Sequence, residues 1–299
     1  MSGFRLSAFG FRLAIAICTL VASAARADTL GLYAPSAPFP STAARVELAQ
    51  RLGKYLGDSV NIGLSAQVFA RAGDFAAAVK KGEVTIALVD ASYLAAAGGN
   101  YTVIAAAVRG GETNHAWQLV ARGAWTIAQL KGKRVLVPAV GGREVDFALA
   151  VMLGGEVARD YFAAIEGAPD TASALAALGL GKADAAIVPG GVELPAGTQR
   201  VLALPAIAGP LLVVYGSATP RAAVASAAAS FQGDATVAGF RAGDGDVVRS
   251  IARRFTVAVK RGPFAVPAIR VLVGDLVEGR TFAIERTPAS TFVVRPERR

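Results

Sequence analysis

The sequence contains very few of the side chains that carry most metal and covalent chemistry. Its 299 residues include one histidine and one cysteine. Zinc sites, iron–sulfur clusters and cysteine nucleophiles usually need more than this, and a Ser-His-Asp triad would depend on the single imidazole. Aromatic residues make up only 7% of the chain, which argues against the stacking surfaces that bind single-stranded nucleic acid. We therefore expect no metal, no cofactor and no nucleic-acid partner.

Apolar residues, in contrast, are abundant. Hydrophobic side chains account for 54% of the sequence, charged side chains for 18%, and there are 33 glycines. A chain of this length and composition can bury a large core, either as one large domain or as two lobes. It does not have the composition of a disordered protein.

The N-terminal segment has the three parts of a secretory signal peptide. Residues 1–12 carry two arginines and no acid, residues 13–25 carry no charge, and a small-x-small cleavage pattern ends at Ala27. The apolar run is shorter than the roughly 20 residues that a membrane-spanning helix needs. We expect residues 1–27 to be removed, which would leave a periplasmic protein that is soluble after cleavage.

The positive charge of the chain is concentrated near its C-terminus. Residues 241–299 contain 12 basic and 6 acidic side chains, whereas residues 28–240 contain 16 of each. The basic balance of the whole chain therefore does not predict an anion-attracting pocket in the main body.

Short β-like runs alternate with helix-like runs through most of the mature chain, for example a strand at Val84–Val89 and a helix at Arg143–Leu153. Such alternation is typical of α/β layers, and Pro205–Pro210 is expected to form a connecting loop. Later segments are predicted to form a small β extension. The strands expected there are Phe255–Val259, Ile269–Val273, Phe282–Glu285 and Thr291–Val294.

One unit occurs twice in similar form. Residues 81–89 and 180–188 each contain a glycine after a helix, then a charged residue and an apolar strand. The glycines fit left-handed helix caps. If each of two lobes contains one such unit, the residues that follow the strands, Asp90 and Pro189-Gly190-Gly191, face a shared cleft, because ligands collect beyond the carboxyl ends of strands in such sheets.

Four segments follow one another in a recognisable order: Val84–Asp90 with Tyr93, His115–Arg122, Leu130-Lys131-Gly132-Lys133-Arg134-Val135 and Gly181–Ala186. In this order they resemble the phosphate/phosphite/phosphonate-type periplasmic solute-binding proteins of ABC importers. The resemblance covers about residues 28–230 and implies a two-lobed α/β fold, each lobe a mixed sheet flanked by helices, with a ligand cleft between the lobes. It also implies a monomer that passes a small-molecule ligand to an ABC-type membrane permease.

In that family, the loop that follows the Leu-Lys-Gly-Lys strand usually carries serine and threonine hydroxyls that hold an oxyanion. The corresponding segment here, residues 138–144, has no hydroxyl. Backbone N–H groups at Gly141 and Gly142 remain as donors, and Arg143 either contacts the ligand or pairs with a neighbouring acid and faces water. The ligand is therefore either an oxyanion or an apolar organic molecule.

The remaining cleft candidates are mostly apolar or aromatic, with a few polar groups, as in many small-molecule pockets. Each also has a structural alternative, since Asp90 fits a helix cap and Trp117 fits a core position. The predicted ligand-binding residues are Tyr33, Ser36, Asp90, Tyr93, His115, Trp117, Val140, Gly141, Gly142, Arg143, Pro189 and Gly190.

The expected organisation is a signal peptide at 1–27, a discontinuous first lobe at 28–109 and 205–240, a second lobe at 110–204, and an extension at 241–299. Hinge closure of such lobes on a solute is the first functional hypothesis. A carrier of a neutral or lipid-like molecule on the same fold is the second. An enzyme using the cleft is the third, and it is not favoured because no nucleophile–base pair stands out.

Overall fold

The computed structural model describes residues 28–217 and 219–260, together with the backbone of two short later strands. The predicted signal peptide lies outside the described residues, as does the strand predicted at Ile269–Val273. Thirteen strands are assigned among the described residues. In chain order they are β1 (Asp28–Tyr33), β2 (Leu64–Val68), β3 (Val84–Asp90), β4 (Tyr101–Val108), β5 (Asn114–Arg122), β6 (Arg134–Pro138), β7 (Ala164–Ala168), β8 (Ala185–Pro189), β9 (Thr198–Ala208), β10 (Pro210–Tyr215), β11 (Gly239–Ala242), β12 (Phe282–Arg286) and β13 (Phe292–Pro296).

The helices lie mainly in the connections between these strands. The first begins at the N-cap Ser41, whose hydroxyl accepts a hydrogen bond from the Ala44 N–H, and ends at Asn61 in the left-handed conformation. The α-helices are α1 (Thr42–Val60), α2 (Ala72–Lys80), α3 (Ala91–Ala97), α4 (Glu144–Asp146), α5 (Thr171–Gly179), α6 (Arg221–Ser230) and α7 (Asp246–Arg254).

Two mixed sheets organise the molecule. The first has the order β11-β4-β10-β3-β1-β2, with β1 parallel to both β2 and β3. The second has the order β7-β6-β8-β5-β9, with β6 parallel to β7 and β8. We call the first sheet with its helices the first lobe and the second sheet with its helices the second lobe.

The chain passes between the lobes twice, at residues 109–113 and at Gly209. The two crossings are paired, since the Gly209 N–H donates to the Thr113 carbonyl at 2.9 Å. The loop expected at Pro205–Pro210 is instead the end of β9 followed by the start of β10. Pro205 is tolerated inside a strand because β9 is the edge of its sheet, where a missing N–H donor can face away from any partner strand.

The repeated glycines of the sequence have the expected conformation. Gly82 and Gly181 both have φ of +69°. Their N–H groups donate to the carbonyls of Val79 and Leu178, at 2.9 and 3.1 Å. Each therefore ends its helix in the left-handed region and directs the chain into a buried strand, β3 or β8.

The segment expected as a helix at Arg143–Leu153 is shorter and wider than an ordinary α-helix. After the single turn of α4, residues Phe147–Met152 form a π-helix in which all six side chains are buried. The Leu153 N–H donates to the Ala148 carbonyl, five residues back. Because all its side chains are buried, this segment is a continuous apolar run in the sequence. Such a run has no periodicity that would distinguish a π-helix from an α-helix.

The region after residue 240 differs from the predicted β extension. Residues 246–254 form α7, which packs on α3 and contacts the π-helix, and Phe255–Val259 forms turns rather than a strand. Val248, Ile251 and Phe255 are buried at helical spacing, which is the signal that the prediction missed. The last two predicted strands do occur, as the antiparallel pair β12 and β13.

Candidate ligand-binding cleft

The carboxyl ends of the parallel strands meet where the lobes face one another. In the first lobe, β1 ends at Tyr33 and β3 at Asp90. In the second, β6 ends at Pro138 and β8 at Pro189. One hydrophobic core cluster contains residues of both lobes, so the interface is partly closed by the protein's own side chains.

Asp90 fixes the loop after β1. Its carboxylate accepts hydrogen bonds from the Ser36 N–H at 2.7 Å and the Ser36 hydroxyl at 2.8 Å. Burial raises the pKa of Asp90 to about 6, although the Ser36 hydrogen bonds and the charge of Arg45 oppose that rise. Asp90 thus holds Ser36 in place.

Two further contacts join the lobes on this loop. The Thr171 hydroxyl donates to the Ser36 carbonyl at 2.9 Å, and the Thr171 N–H donates to the Pro35 carbonyl at 3.0 Å. Arg45 of α1 forms an ion pair with Asp170 at 2.8 Å, with both side chains largely buried. These contacts hold the start of α5 against the first lobe.

Aromatic rings fill the interface next to this loop. Tyr33 stacks on Phe75 with ring centroids 5.6 Å apart and meets the edge of Tyr93 at 4.9 Å. Gly141 of the second lobe lies against the Tyr93 ring, and a Cβ at this position would stand 2.9 Å from a ring carbon. The Tyr33 hydroxyl is buried and has no hydrogen-bond partner among the described residues.

In the loop after β6, backbone N–H groups are hydrogen-bonded to the side chain of Glu144. The Glu144 Oε1 atom accepts the Val140 N–H at 2.8 Å and the Gly142 N–H at 3.1 Å. Gly167 leaves room for this side chain, since a Cβ there would lie 3.1 Å from the Glu144 Cγ. We call the part of the interface formed by Tyr33, Tyr93, residues 140–142 and Glu144 the packed side.

Arg143 is engaged within the second lobe and its neighbouring segment. Its guanidinium pairs with Asp146 at 3.2 Å and lies over the Phe255 ring at 4.6 Å. Asp146 also pairs with Arg159 at 2.6 Å. Of the two alternatives left open by the sequence, this geometry is that of a paired arginine.

The second part of the interface, next to the two chain crossings, is open. It forms a cleft of about 980 Å³, at the upper end of the range of ligand pockets. A void of about 20 Å³ continues it inward between Ser36, Trp117 and Pro189, which is room for a water molecule only. We call the larger space the open cleft. Its walls include Pro38, Phe39, Arg109, Asn114, His115, Trp117, Gln118, Thr171, Leu175, Gly190, Glu193 and Arg200.

Arg109 is the charged group set deepest in the open cleft. Its guanidinium donates to the Gly190 carbonyl at 3.3 Å, and among the described residues no carboxylate lies within ion-pair distance of it. Burial lowers the pKa of Arg109. Burial also lowers the pKa of His115 to about 4, with the nearby Arg109 charge adding to the effect and Glu112 opposing it. His115 is therefore neutral at pH 7, and Arg109 is the partly buried cation of this site, whereas Arg200 is exposed.

The structure divides the residues predicted from sequence into three groups. Ser36, His115, Trp117, Pro189 and Gly190 line the open cleft or its inner void. Tyr33, Asp90, Tyr93 and Val140 are buried in the lobe interface. Gly141, Gly142 and Arg143 lie on the loop after β6 and do not line the open cleft.

Sequence reasoning did not include Arg109 or Phe39 in the site. Arg109 stands before Gly110-Gly111, and this combination indicated only a boundary between two series of strands. Phe39 lies between two prolines in a loop, and this placement of an aromatic residue was the one available signal.

Two features are absent from the described residues, a cluster of metal ligands and a membrane-spanning helix. Within 28–217 and 219–260, no group of three or more His, Cys, Asp or Glu side chains lies close enough to hold a metal ion. In the part of the chain that the structure describes, no helix has the length and apolarity to cross a membrane.

Comparison with solved structures identifies the fold. XAC2383 from Xanthomonas citri, solved with chloride and also with ATP, matches with a TM-score of 0.63 at 12% identity in its chloride form, over 77% of this chain and 97% of that one. A binding-protein component of an ABC phosphonate transporter from Pseudomonas aeruginosa matches at 0.61 and 13%, over 76% and 84%. PhnD1 from Prochlorococcus marinus, in complex with methylphosphonate, matches at 0.60 and 11%, over 76% and 96%.

No protein-family model matches the chain, and no curated protein matches it by sequence. At these identities the structural matches establish the fold alone. The chain has the two-lobed α/β fold of periplasmic binding proteins, as the sequence resemblance implied.

Proposed function

We propose that this protein is a periplasmic solute-binding protein that captures a small organic anion in the open cleft and delivers it to an ABC-type permease. The observation that carries the proposal is Arg109, a half-buried cation in a cleft of about 980 Å³ without a carboxylate partner among the described residues. The transporter components among the structural neighbours support the delivery step. The predicted signal peptide supports export.

The chemistry of the cleft favours a carboxylate joined to an apolar body. A partly desolvated guanidinium is stabilised by a charged acceptor, and its planar fork matches the two oxygens of a carboxylate. Trp117, Phe39 and Leu175 provide apolar surface around it. The other cleft charges, such as Arg200 and Glu193, are exposed, so solvent screens them.

Binding at this position would also explain closure of the lobes. Phe39 belongs to the first lobe, whereas Trp117 and Gly190 belong to the second, and all three line the open cleft. A ligand that contacts both sets of residues favours the closed form by its differential affinity for that form.

A second candidate is a carrier of a neutral apolar molecule. Phe39, Trp117 and Leu175 favour it, because apolar walls of this kind need no charged ligand. The two candidate functions differ in their need for Arg109, since only an anionic ligand requires its charge.

The discriminating experiment compares carboxylates with neutral analogues of similar size, and a substitution of Arg109 with a substitution of an exposed arginine. Benzoate and hexanoate are tested against benzamide and hexanol by thermal shift and calorimetry, on the wild-type chain and on Arg109→Gln and Arg200→Gln. A carboxylate at 100 times its Kd raises the free energy of unfolding by about 2.7 kcal/mol. We expect Arg109→Gln to weaken carboxylate binding by about 1.5–3 kcal/mol and the exposed Arg200→Gln control to change it by less than about 0.5 kcal/mol.

The outcomes separate the candidates. Equal binding of benzoate and benzamide with no effect of Arg109→Gln supports the apolar carrier, and the absence of any ligand-induced shift contradicts both. Export is checked by fractionation of cells that express the full chain, with the processed N-terminus expected at Asp28.

A further inference from the structure

Glu144 occupies hydrogen-bond donors that an anion would otherwise use. Its Oε1 atom receives the N–H groups of Val140 and Gly142, and the preceding N–H of the loop, that of Ala139, is already bonded to the Ala168 carbonyl. The N–H groups of Val140 and Gly142 converge on one oxygen, which is how a backbone concavity holds an oxyanion. The carboxylate that occupies it here is part of the chain.

The surroundings of Glu144 are shaped to hold this side chain. Gly167 on β7 is the residue under its Cγ, and a methyl group there would come within 3.1 Å. The backbone of Gly167 is in an ordinary extended strand, so its lack of a side chain is needed for space rather than for conformation.

An independent observation is an unpaired polar group on the same packed side. The Tyr33 hydroxyl is fully buried there and has no hydrogen-bond partner among the described residues. It interacts electrostatically with Asp90, Tyr93 and Glu144, and the Tyr93 ring lies on Gly141. An unpartnered buried hydroxyl is costly, and an oxyanion bound at the loop would supply it with an acceptor.

We propose that Glu144 is a specificity-determining residue: an internal carboxylate that fills the backbone anion position of residues 140–142 and keeps inorganic oxyanions out of the packed side. This inference rests on the proposed function in one respect, that the ligand is captured in the open cleft and not on the packed side. Removal of the carboxylate is expected to convert the packed side into an oxyanion site.

The test uses inorganic phosphate and methylphosphonate as probes, by calorimetry and thermal shift, with chloride at matched ionic strength. Four chains are compared: wild type, Glu144→Ala, Glu144→Gln, and Glu166→Ala as a control that removes an exposed acid next to Gly167. We expect phosphate to bind Glu144→Ala at least 10-fold more tightly than wild type or Glu166→Ala. The Glu144→Gln chain should remain like wild type, because its amide oxygen still accepts the Val140 and Gly142 N–H groups.

A second readout covers the case in which Glu144→Ala does not fold. Gly167→Val keeps the carboxylate but fills the space of the Glu144 side chain, because its Cβ alone would lie 3.1 Å from the Glu144 Cγ and its two methyl groups extend beyond that point. In amide spectra, the Val140 and Gly142 N–H signals should move on addition of phosphate to Gly167→Val and should not move in wild type. Unchanged signals in the folded Gly167→Val chain contradict the proposal.

Two other results also overturn it. One is phosphate binding to wild type as tight as to Glu144→Ala, and the other is a folded Glu144→Ala chain that binds neither probe. The proposed function fails separately, because benzoate binding at Arg109 is measured on wild type and does not involve Glu144.

Discussion

The packed side and the open cleft both lie at the carboxyl ends of parallel strands, but the first is filled by side chains and the second is not. On the packed side, Tyr33, Tyr93 and Gly141 close the space, and Glu144 supplies the anion. In the open cleft, Arg109 is a cation that no carboxylate of the described residues pairs with. The fold therefore does not decide where recognition takes place, because side chains can fill one half of a cleft and leave the other half to a ligand.

The largest effect is expected from breaking the packing beneath the wall of the open cleft. Phe147 is fully buried and meets the edge of Trp117 at 5.2 Å, so Phe147→Ala leaves a cavity beneath the wall of the open cleft. We expect it to lower the free energy of unfolding by about 3–5 kcal/mol. Urea denaturation measures this. Trp125, which is 74% exposed, is the matched control, and Trp125→Ala should change stability by less than about 0.5 kcal/mol. Equal losses in both variants would contradict the packing described here.

Much of this fold was predictable because its signals are local and periodic. The glycine caps at Gly82 and Gly181, and the apolar strands after them, follow from backbone conformation and burial alone. The helix α7 was missed although Val248 and Ile251 have helical spacing, because the short apolar runs around later prolines were interpreted as strands.

The site was less predictable, for a physical reason. Residues that follow strand ends are placed by topology, so Ser36 and Gly190 could be assigned to a cleft. Which half of that cleft is filled depends on contacts between distant residues, such as Glu144 against Gly167 and Tyr93 against Gly141. Those contacts leave no periodic pattern in the sequence.

The next effect concerns the acid under the packed side. Burial raises the pKa of Asp90 from 3.8 to about 6, so the folded protein keeps this proton where the unfolded chain has released it. The raised pKa of Asp90 therefore stabilises the folded protein fully below pH 4. This stabilisation is lost, by up to about 3 kcal/mol, as the pH rises to 7. In Asp90→Asn, where the amide can still bond to Ser36, we expect stability relative to wild type to increase by that amount from pH 4 to pH 7.

Denaturation of both chains at pH 4, 5.5 and 7 tests this, since other titrating groups cancel in the difference. The exposed pair of Lys54 and Asp58 provides a control, and Asp58→Asn should show a much smaller change over the same range. A difference between Asp90→Asn and wild type that does not vary with pH would refute the buried-acid interpretation.

The open cleft should show a pH effect of the opposite sign. Burial, together with Arg109, lowers the pKa of His115 from 6.5 to about 4, so the folded protein stays neutral there while the unfolded chain takes up a proton. Stability is therefore lost as the pH falls from 6.5 to 4. Because His115 is partly exposed, solvent screening reduces the effect to about 1 kcal/mol. In His115→Gln this loss should disappear, as measured by the same denaturation series. If His115→Gln steepened the loss at low pH, the assignment of a neutral imidazole would be wrong.

The smallest effect is expected at the ion pair that holds the lobes together beside the open cleft. Arg45 and Asp170 are largely buried, and Asp170 also caps α5 by accepting the Ser173 N–H at 2.7 Å. A double-mutant cycle with Arg45→Met and Asp170→Asn keeps the cap, because asparagine is also a good N-cap residue, and isolates the pair. We expect a coupling energy of about 1 kcal/mol, and a clearly smaller one for the exposed pair of Lys54 and Asp58, which solvent screens. Since only the first pair crosses between lobes, small-angle scattering should detect opening in Arg45→Met and none in Lys54→Met. Equal coupling energies and unchanged scattering would mean that the aromatic packing alone holds the lobes closed.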